Sequence, residues 1–375
     1  MPSIAFLALY PLSPGRIGGM DRFFWRLDRY ARQSGWQITW LFPEGGDHSH
    51  YLERGFDIVP LPAEAFLDAA TAYFAGRKGF DLLVSVFVEY ATRYPIQWRR
   101  SGVRRYLALD HMSRRVRRNI KSGHWKEAAR GLTVYPFIDG VMAICSFVRE
   151  DIVRRLGRRW NAKLFTVTNG VDVQVFYPAE AELPGPSDSL HIGVISHLIE
   201  EKGIQVFLQA LSAVRDRLQT RVSIAGVGPY EQTLRRLVED LALGEVVTFL
   251  GNTSRQADLL RTVDVSVVPS LWAEAFPFSV LESMACGVPV IASRIGGIPE
   301  MVGTDAAMLV APGAVDELAS ALLLVAKDPS LRRRMGEAGV RRVNEAYTLD
   351  QMLGGYVSVM RHLLGDSVRN GSVTA

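Results

Sequence analysis

Short apolar runs rich in valine, isoleucine and leucine recur along the chain, separated by stretches in which apolar residues return every three or four positions. In the first half the runs fall at 4–10 (IAFLALY), 37–43, 57–62, 81–87, 104–110, 140–146 and 163–169. Amphipathic stretches such as 20–33 and 146–157 lie between them and predict helices. Runs that are apolar at almost every position predict strands buried on both faces. Their alternation with helices predicts a parallel sheet covered on both sides.

The pattern breaks at 177–189 (YPAEAELPGPSDS), where proline, serine and acidic residues replace periodicity, and we read this as an interdomain linker. The alternation then restarts, with strands predicted at 190–197, 220–226, 245–251, 263–270, 289–293 and 307–310. Helices are predicted at 315–328, 330–346 and 349–364, before a tail expected to fray. The expected fold is α/β: two tandem Rossmann-like, doubly wound domains facing a cleft, at 1–180 and 181–348, with a final helix and tail at 349–375. Ligands of such sheets lie outside the carboxyl ends of the strands, so the loops after strands carry the candidate chemistry.

Composition narrows the picture. Lysine and arginine number 43 against 39 acids, a net charge of +4, and the bases crowd the first half. They include Arg99, Arg100, Arg104, Arg105, the run at 114–121, Lys126 and Arg130, then Arg149, Arg154, Arg155, Arg158 and Arg159. One reading is solvated helix faces; the other is a surface for a phosphorylated acceptor or an anionic membrane face. No helix-turn-helix, zinc-finger or aromatic RNA-binding pattern is present, so a nucleic-acid partner is not expected. Cys145 and Cys286 are too few for a disulfide framework or a cysteine metal site, which fits a reducing cytoplasm. No apolar run reaches about 18 residues, so no membrane-spanning helix is predicted. The opening MPSIAFLALYPLSP lacks a basic leader and reads as a first strand, not a signal peptide. The expected location is cytoplasmic, with peripheral contact at the inner face of the cell membrane through the basic first domain. Nothing in the sequence specifies an oligomeric state.

Six loops are candidates. PGRIGGMDRFF (14–24) puts Gly15, Gly18 and Gly19 between a strand and a helix start, where backbone amides favour an anion; its bland alternative is a plain turn. AGVGPYEQTLRRL (225–237) holds Gly226 and Gly228, but the third glycine of a dinucleotide fingerprint would fall at Glu231, which disfavours a nicotinamide site. SHLIEEKGIQVFLQAL (196–211) places Lys202 before Gly203 at a helix start, where lysine neutralises phosphate as a point charge or is merely solvated. ALDHMSRR (108–115) places Asp110 and His111 at a strand end, where a histidine hydrogen-bonds a sugar hydroxyl, moves a proton, or is simply satisfied. His48 and His50 read as loop surface, and no metal-ligand cluster is seen. In WAEAFPFSVLESMACGVPVIAS (272–293), Pro277 suits the first turn of a helix running to about Ala285. Glu274 then lies before that helix and Glu282 on it, eight positions apart (282 − 274 = 8), and RIGGIPEMV (294–302) adds another glycine loop. Two acceptors near a positive helix end suit a ligand with hydroxyls at both ends and a diphosphate between, a sugar nucleotide.

The order of these segments resembles the retaining glycosyltransferases of the GT-B fold, specifically glycosyltransferase family four. EAFPFSVLESMACGVPVIASRIGGIPEMV is similar to that family's E-x7-E segment, TVTNGVDVQVFYP (166–178) to the segment closing its first domain, and EKGIQVFLQAL and IAGVGPYEQTLRRL to its donor-phosphate loops. The resemblance implies that Glu274 contacts hydroxyls of the transferred sugar, that Glu282 holds the ribose and that Lys202 binds the diphosphate. It implies that Gly18 and Gly19 approach the phosphates, that His111 lies near the reacting centre, and that the final helix crosses back to the first domain. Gly226, Gly228, Ala275, Phe276 and Phe278 are counted with the donor-binding residues. Two departures stand out. Ser196, His197 and Leu198 replace the family's usual Gly-Arg-Leu, so His197 stands where an arginine would partner Lys202, with less positive charge near neutral pH. Ala275, Phe276 and Pro277 stand where glycines are frequent, and Pro277 lacks a backbone N–H.

The function this implies is transfer of a sugar from a UDP-sugar or GDP-sugar to an acceptor nucleophile with retained stereochemistry and no metal or other cofactor. The acceptor is a small molecule, a glycan or a lipid-linked compound. Glu274 and Glu282 are then binding groups, not a glycosidase acid and nucleophile. A sugar phosphorylase, a sugar-nucleotide epimerase of the same fold, and a non-catalytic sugar-nucleotide-binding subunit (suggested by His197) are the alternatives.

Overall fold

The computed structural model describes residues 1–10, 17–77, 79–111, 124–179 and 189–365. Gly15, the basic run at 114–121, the Lys126 side chain, most of the proposed linker and the tail beyond Gly365 lie outside the described residues.

The first sheet contains β1 (Ser3–Ala8), β2 (Gln37–Pro43), β3 (Asp57–Leu61), β4 (Leu82–Val86), β5 (Tyr106–Asp110), β6 (Gly140–Ala143) and β7 (Leu164–Thr166). The second contains β8 (Leu190–Ile195), β9 (Thr220–Ala225), β10 (Val247–Gly251), β11 (Val265–Val268), β12 (Val290–Ser293) and β13 (Ala307–Val310). Both are parallel, in the orders β3-β2-β1-β4-β5-β6-β7 and β10-β9-β8-β11-β12-β13. Every residue of β4 and β5 is buried, which is why these runs show no polar alternation. In each sheet the order reverses beside the first strand, between β1 and β4 and between β8 and β11. That switch point leaves a crevice at the strand ends.

The final helix, Leu349–Leu364, packs on the first domain, where its Met352, Tyr356 and Met360 share a core with Phe6, Phe23 and Trp40. Thr348 starts it by accepting a hydrogen bond from the Gln351 amide, while the Gln351 side chain accepts one from the Thr348 amide. Val171 exchanges backbone bonds with the segment entering the helix: its amide donates to Tyr347 O and the Leu349 amide donates to its carbonyl, both at 2.8 Å. Gly170 is needed there, because a Cβ would come 2.2 Å from Thr348 O. The expected return of the chain to its first domain is therefore observed, and Gly170 sits at the crossing.

The domains also touch through side chains. Cys145 Sγ–H donates to Ala275 O at 3.0 Å. The Ser146 amide, at the start of helix Ser146–Leu156, donates to the Glu300 carboxylate at 2.9 Å. A carboxylate from the second domain thus caps a helix of the first.

Two local expectations are corrected. Pro277 is the residue just before helix Phe278–Ala285, with extended backbone, not part of its first turn. His48 and His50 are not loop surface: Ser49–Leu52 forms one helical turn, both histidines are half-buried, and the His48 ring lies 6.1 Å from that of Phe42. The burial of Tyr51 against Phe42 and Phe56 pulls this short segment onto the core.

Many bases of the first domain meet acids of the same domain. Arg104 pairs with Asp81 at 3.0 Å, Arg105 with Asp139 at 2.8 Å, and Arg155 with Asp151 at 2.8 Å.

Gly170→Ala should destabilise the protein by roughly 2 kcal/mol, since the methyl must displace backbone. Calorimetric unfolding checks this, and an unchanged midpoint would show the crossing to be more pliable than described.

Candidate active site

Loops from both domains meet around a cavity of about 330 Å³. The first domain contributes Tyr10, Gly18, Gly19, Phe87, His111 and Asn169 to its wall. The second contributes Ser196, His197, Lys202, Gly226, Asn252 and Gln256, together with Glu274, Ala275, Phe276, Phe278, Ser279 and Glu282. All lie in loops following strands or at the start of a following helix, except Glu282, which sits inside helix Phe278–Ala285.

Glu274 is 3% exposed, a position a carboxylate tolerates only with partners. Its Oε1 accepts from Lys202 Nζ at 2.6 Å, Ser270 Oγ at 2.7 Å and Trp272 Nε1 at 3.2 Å. Burial pushes the Glu274 carboxyl up, but the Lys202 charge and the three donors outweigh it and hold it below the usual carboxylate range. The Lys202 ammonium also lies 5.7 Å from the centre of the Trp272 ring.

The backbone beneath this carboxylate is clamped. Gly297 N–H donates to Glu274 O at 2.8 Å, and a Cβ on Gly296 or Gly297 would come 2.0 Å from the carbonyl of Glu274 or Ala275. The RIGGIPEMV loop thus serves as a seat for residues 274–275. Glu282, also buried, lines the same cavity from the helix. At the start of that helix the first amides have no intrahelical acceptor, and Phe278 and Ser279 form part of the cavity wall.

Across the cleft, Asp21 organises the glycine loop of the first domain. Its Oδ2 accepts the Gly18 amide at 2.7 Å and the Tyr10 hydroxyl at 3.0 Å, and its Oδ1 accepts the Tyr51 hydroxyl at 2.6 Å. A Cβ at Gly19 would come 2.2 Å from the Phe278 ring, so this glycine allows the two domains to touch.

His111 lines the cavity at the end of β5, and its Nε2 lies 2.7 Å from the Tyr356 hydroxyl. Burial pushes its imidazole down to about 4, against a smaller opposite effect of Asp110, so the ring is neutral at pH 7. Asp110 itself turns away to accept from Tyr90 at 3.1 Å and is absent from the cavity wall. Asn169 is almost fully buried, and its Nδ2 donates to Phe276 O at 2.9 Å across the domain boundary.

The structure brings together His111, Lys202, Glu274, Glu282, Gly18, Gly19, His197, Gly226, Ala275, Phe276 and Phe278 around one cavity. Gly228 is outside its wall: a Cβ there would meet Leu198 O at 2.2 Å, so this glycine packs one loop against another. Gly226 does the same against Ser196 O, with φ +141°, while also lining the cavity. Exposed His197 lies in the cavity wall. Sequence reasoning did not single out Ser270, Trp272, Asn169 or Tyr356. For the first two a signal was present, since a buried carboxylate requires donors and both closely precede Glu274 in the sequence. Among the described residues no group of histidine, cysteine and acidic side chains is arranged to hold a metal ion, and no helix is long and apolar enough to cross a membrane.

Residues 179–342 match the family model of glycosyl transferases group 1. The chain is 31% identical, over 57% of its length, to the N-acetyl-alpha-D-glucosaminyl L-malate synthase of Bacillus anthracis. It is 30% identical, over 70% of its length, to the MMP alpha-(1->4)-mannosyltransferase of Mycolicibacterium hassiacum. These matches span 57% and 59% of the relatives' own length. In fold it resembles sucrose-phosphate synthase from Thermosynechococcus elongatus, with TM-score 0.78 and 22% identity over 98% of this chain and 100% of that one. It likewise resembles Anabaena Alr3699/HepE in complex with UDP, with TM-score 0.79 and 16% identity over 96% of this chain and 100% of that one.

Replacing Lys202 by methionine should leave the buried Glu274 carboxylate without its ammonium counter-charge, costing about 3 kcal/mol of stability at pH 7. The Glu274 carboxyl is held low in the folded state. Its contribution is therefore present above the unfolded carboxylate range and is lost as pH falls through the folded value. The stability gap between wild type and Lys202→Met should accordingly narrow on acidification. Denaturant titrations at neutral and acid pH measure it, and a gap independent of pH would contradict the assignment.

Proposed function

Because residues 179–342 match the group 1 glycosyl transferase model and the two sheets take the GT-B arrangement, we propose that this chain transfers a sugar from a nucleoside-diphosphate sugar to an acceptor hydroxyl with retained stereochemistry. The observation that carries this reading is the Lys202–Glu274 pair, held at 2.6 Å in the wall of a cavity between two nucleotide-type sheets.

The charges support the proposed roles. An ammonium has three protons to donate, and Glu274 takes one, leaving Lys202 able to bind an anion without abandoning its carboxylate. The charge developing on the leaving diphosphate is stabilised by Lys202 and by the amides that open helix Phe278–Ala285. These groups are fixed before the substrate arrives, so little reorganisation is needed. Glu274 Oε1 already accepts three hydrogen bonds, which suits a group that orients sugar hydroxyls and not a covalent nucleophile. Glu282, on the same helix, holds the ribose. The leaving phosphate takes the acceptor proton. The two domains touch through Gly19 and Phe278, both in the cavity wall. The charge supplied by Lys202 and the helix amides makes a divalent ion unnecessary.

The proposed donors are UDP-sugars and GDP-sugars, and the acceptor is a hydroxyl of a glycan, glycolipid or small molecule. A thermal-shift screen of sugar nucleotides should reveal the donor, since a ligand at 100 times its Kd adds roughly 2.7 kcal/mol. With that donor, Glu274→Ala and Lys202→Ala should each lower turnover about 100- to 1,000-fold, while a chelator leaves it intact. Full activity in either variant would defeat the site assignment. Phosphate-dependent breakdown of a disaccharide, or epimerisation of the donor without acceptor, would replace the reading with phosphorylase or epimerase.

The excess of bases in the first domain's sequence fits weak contact with an anionic membrane face and a lipid-linked acceptor. Co-sedimentation should then be stronger with anionic than with neutral liposomes; equal binding to both would reject the contact.

A further inference from the structure

His111 connects two parts of the molecule that lie far apart in the sequence: the cavity, which its ring helps to line, and the returning C-terminal helix, which carries Tyr356. Tyr356 is wholly buried, with its ring 4.4 Å from that of Phe23. Its hydroxyl lies 2.7 Å from His111 Nε2, and among the described residues it has no second polar partner.

That isolation decides which atom carries the proton. A tyrosine hydroxyl has one proton to donate, while a neutral imidazole has one N–H and one bare nitrogen. If Nε2 carried the proton and donated to the phenol oxygen, the Tyr356 proton would be buried without an acceptor. An orphaned buried donor costs about 1–3 kcal/mol. With the tyrosine donating to a bare Nε2, nothing is orphaned, and the imidazole proton sits on Nδ1. Among the described residues Nδ1 has no partner in the protein.

We propose that Tyr356 is a positioning residue that holds His111 in the Nδ1–H tautomer, so that His111 meets the transferred sugar as a neutral hydrogen-bond donor and not as a base. The sugar as ligand rests on the glycosyl-transfer reading above; the tautomer does not. Burial of the ring, which keeps it neutral at pH 7, agrees with this arrangement. The recipient of the Nδ1–H bond is an oxygen of the sugar, most simply a hydroxyl. It also gives the chain's return a chemical consequence, since the helix at 349–364 brings the group that sets the tautomer of a residue 245 positions earlier.

The tautomer is read directly from long-range nitrogen–proton correlation spectra of the full-length protein labelled with nitrogen-15, the His111 signals being identified by their loss in His111→Asn. The wild type should show Nδ1 protonated. Tyr356→Phe, which keeps the ring and removes the donor, should shift His111 towards the Nε2–H form or a mixture. Nε2 protonation in the wild type, or an unchanged pattern in a folded Tyr356→Phe, would overturn the proposal. Turnover of UDP-glucose and GDP-mannose supplies a second readout. Asparagine places an N–H near the position of Nδ1 and glutamine near that of Nε2, so His111→Asn should retain about tenfold more activity than His111→Gln. The reverse order would overturn the donor role. If the wild type turns over neither compound nor any other sugar nucleotide, the glycosyl-transfer reading falls, while the spectra still decide the tautomer.

Discussion

The ion pair between Lys202 and Glu274 is the constraint around which the second domain's face of the cleft is arranged. A carboxylate 3% exposed would be expelled or protonated unless its charge were answered on the spot. The answer comes from three directions: a lysine from the loop after β8, a serine just past β11, and a tryptophan beside the glutamate itself. Gly296 and Gly297 then let the next loop press against the 274–275 backbone, where any side chain would collide with a carbonyl. The first helical turn after Pro277 follows from that seat, and so do the amides and Glu282 that it presents to the cavity.

The first domain meets this face through a shared apolar core, in which Ile144 and Val148 join Ala275 and Phe276, and through specific polar contacts. Cys145, Ser146 and Asn169 each hydrogen-bond a group of the second domain, and two of the three partners, Ala275 O and Phe276 O, belong to the loop after Glu274. A shift between the domains therefore acts directly on the segment that orients the carboxylate. In the proposed reaction this is how closure and chemistry become one event.

Much of the architecture was legible because strands buried on both faces are apolar at nearly every position, as in LLVSV and YLALD, and helices between them are amphipathic. The pair Glu274 and Glu282 was legible for the opposite reason: acids inside an apolar stretch need an explanation. His48 and His50 were misread because a single helical turn of four residues is too short to show a period, and its burial comes from Tyr51 meeting aromatic side chains of other elements. The glycines were read for the right property but an incomplete cause. Gly19, Gly226 and Gly228 are all close-approach positions, yet each is filled against the protein's own ring or carbonyl.

The sequence alone determined the class of fold, the order of the loops that ring the cleft and the residue types available there. Those properties depend on local periodicity and on neighbours along the chain. Tertiary structure decided the state of those residues: that Glu274 stays ionised beside Lys202, that His111 is neutral and bonded to Tyr356, and that Gly228 serves packing outside the cavity wall. Protonation, tautomer and steric need are set by whichever atoms lie within a few ångströms, and here many of those atoms come from distant parts of the chain. They meet only once both sheets have formed and the last helix has returned to the first domain.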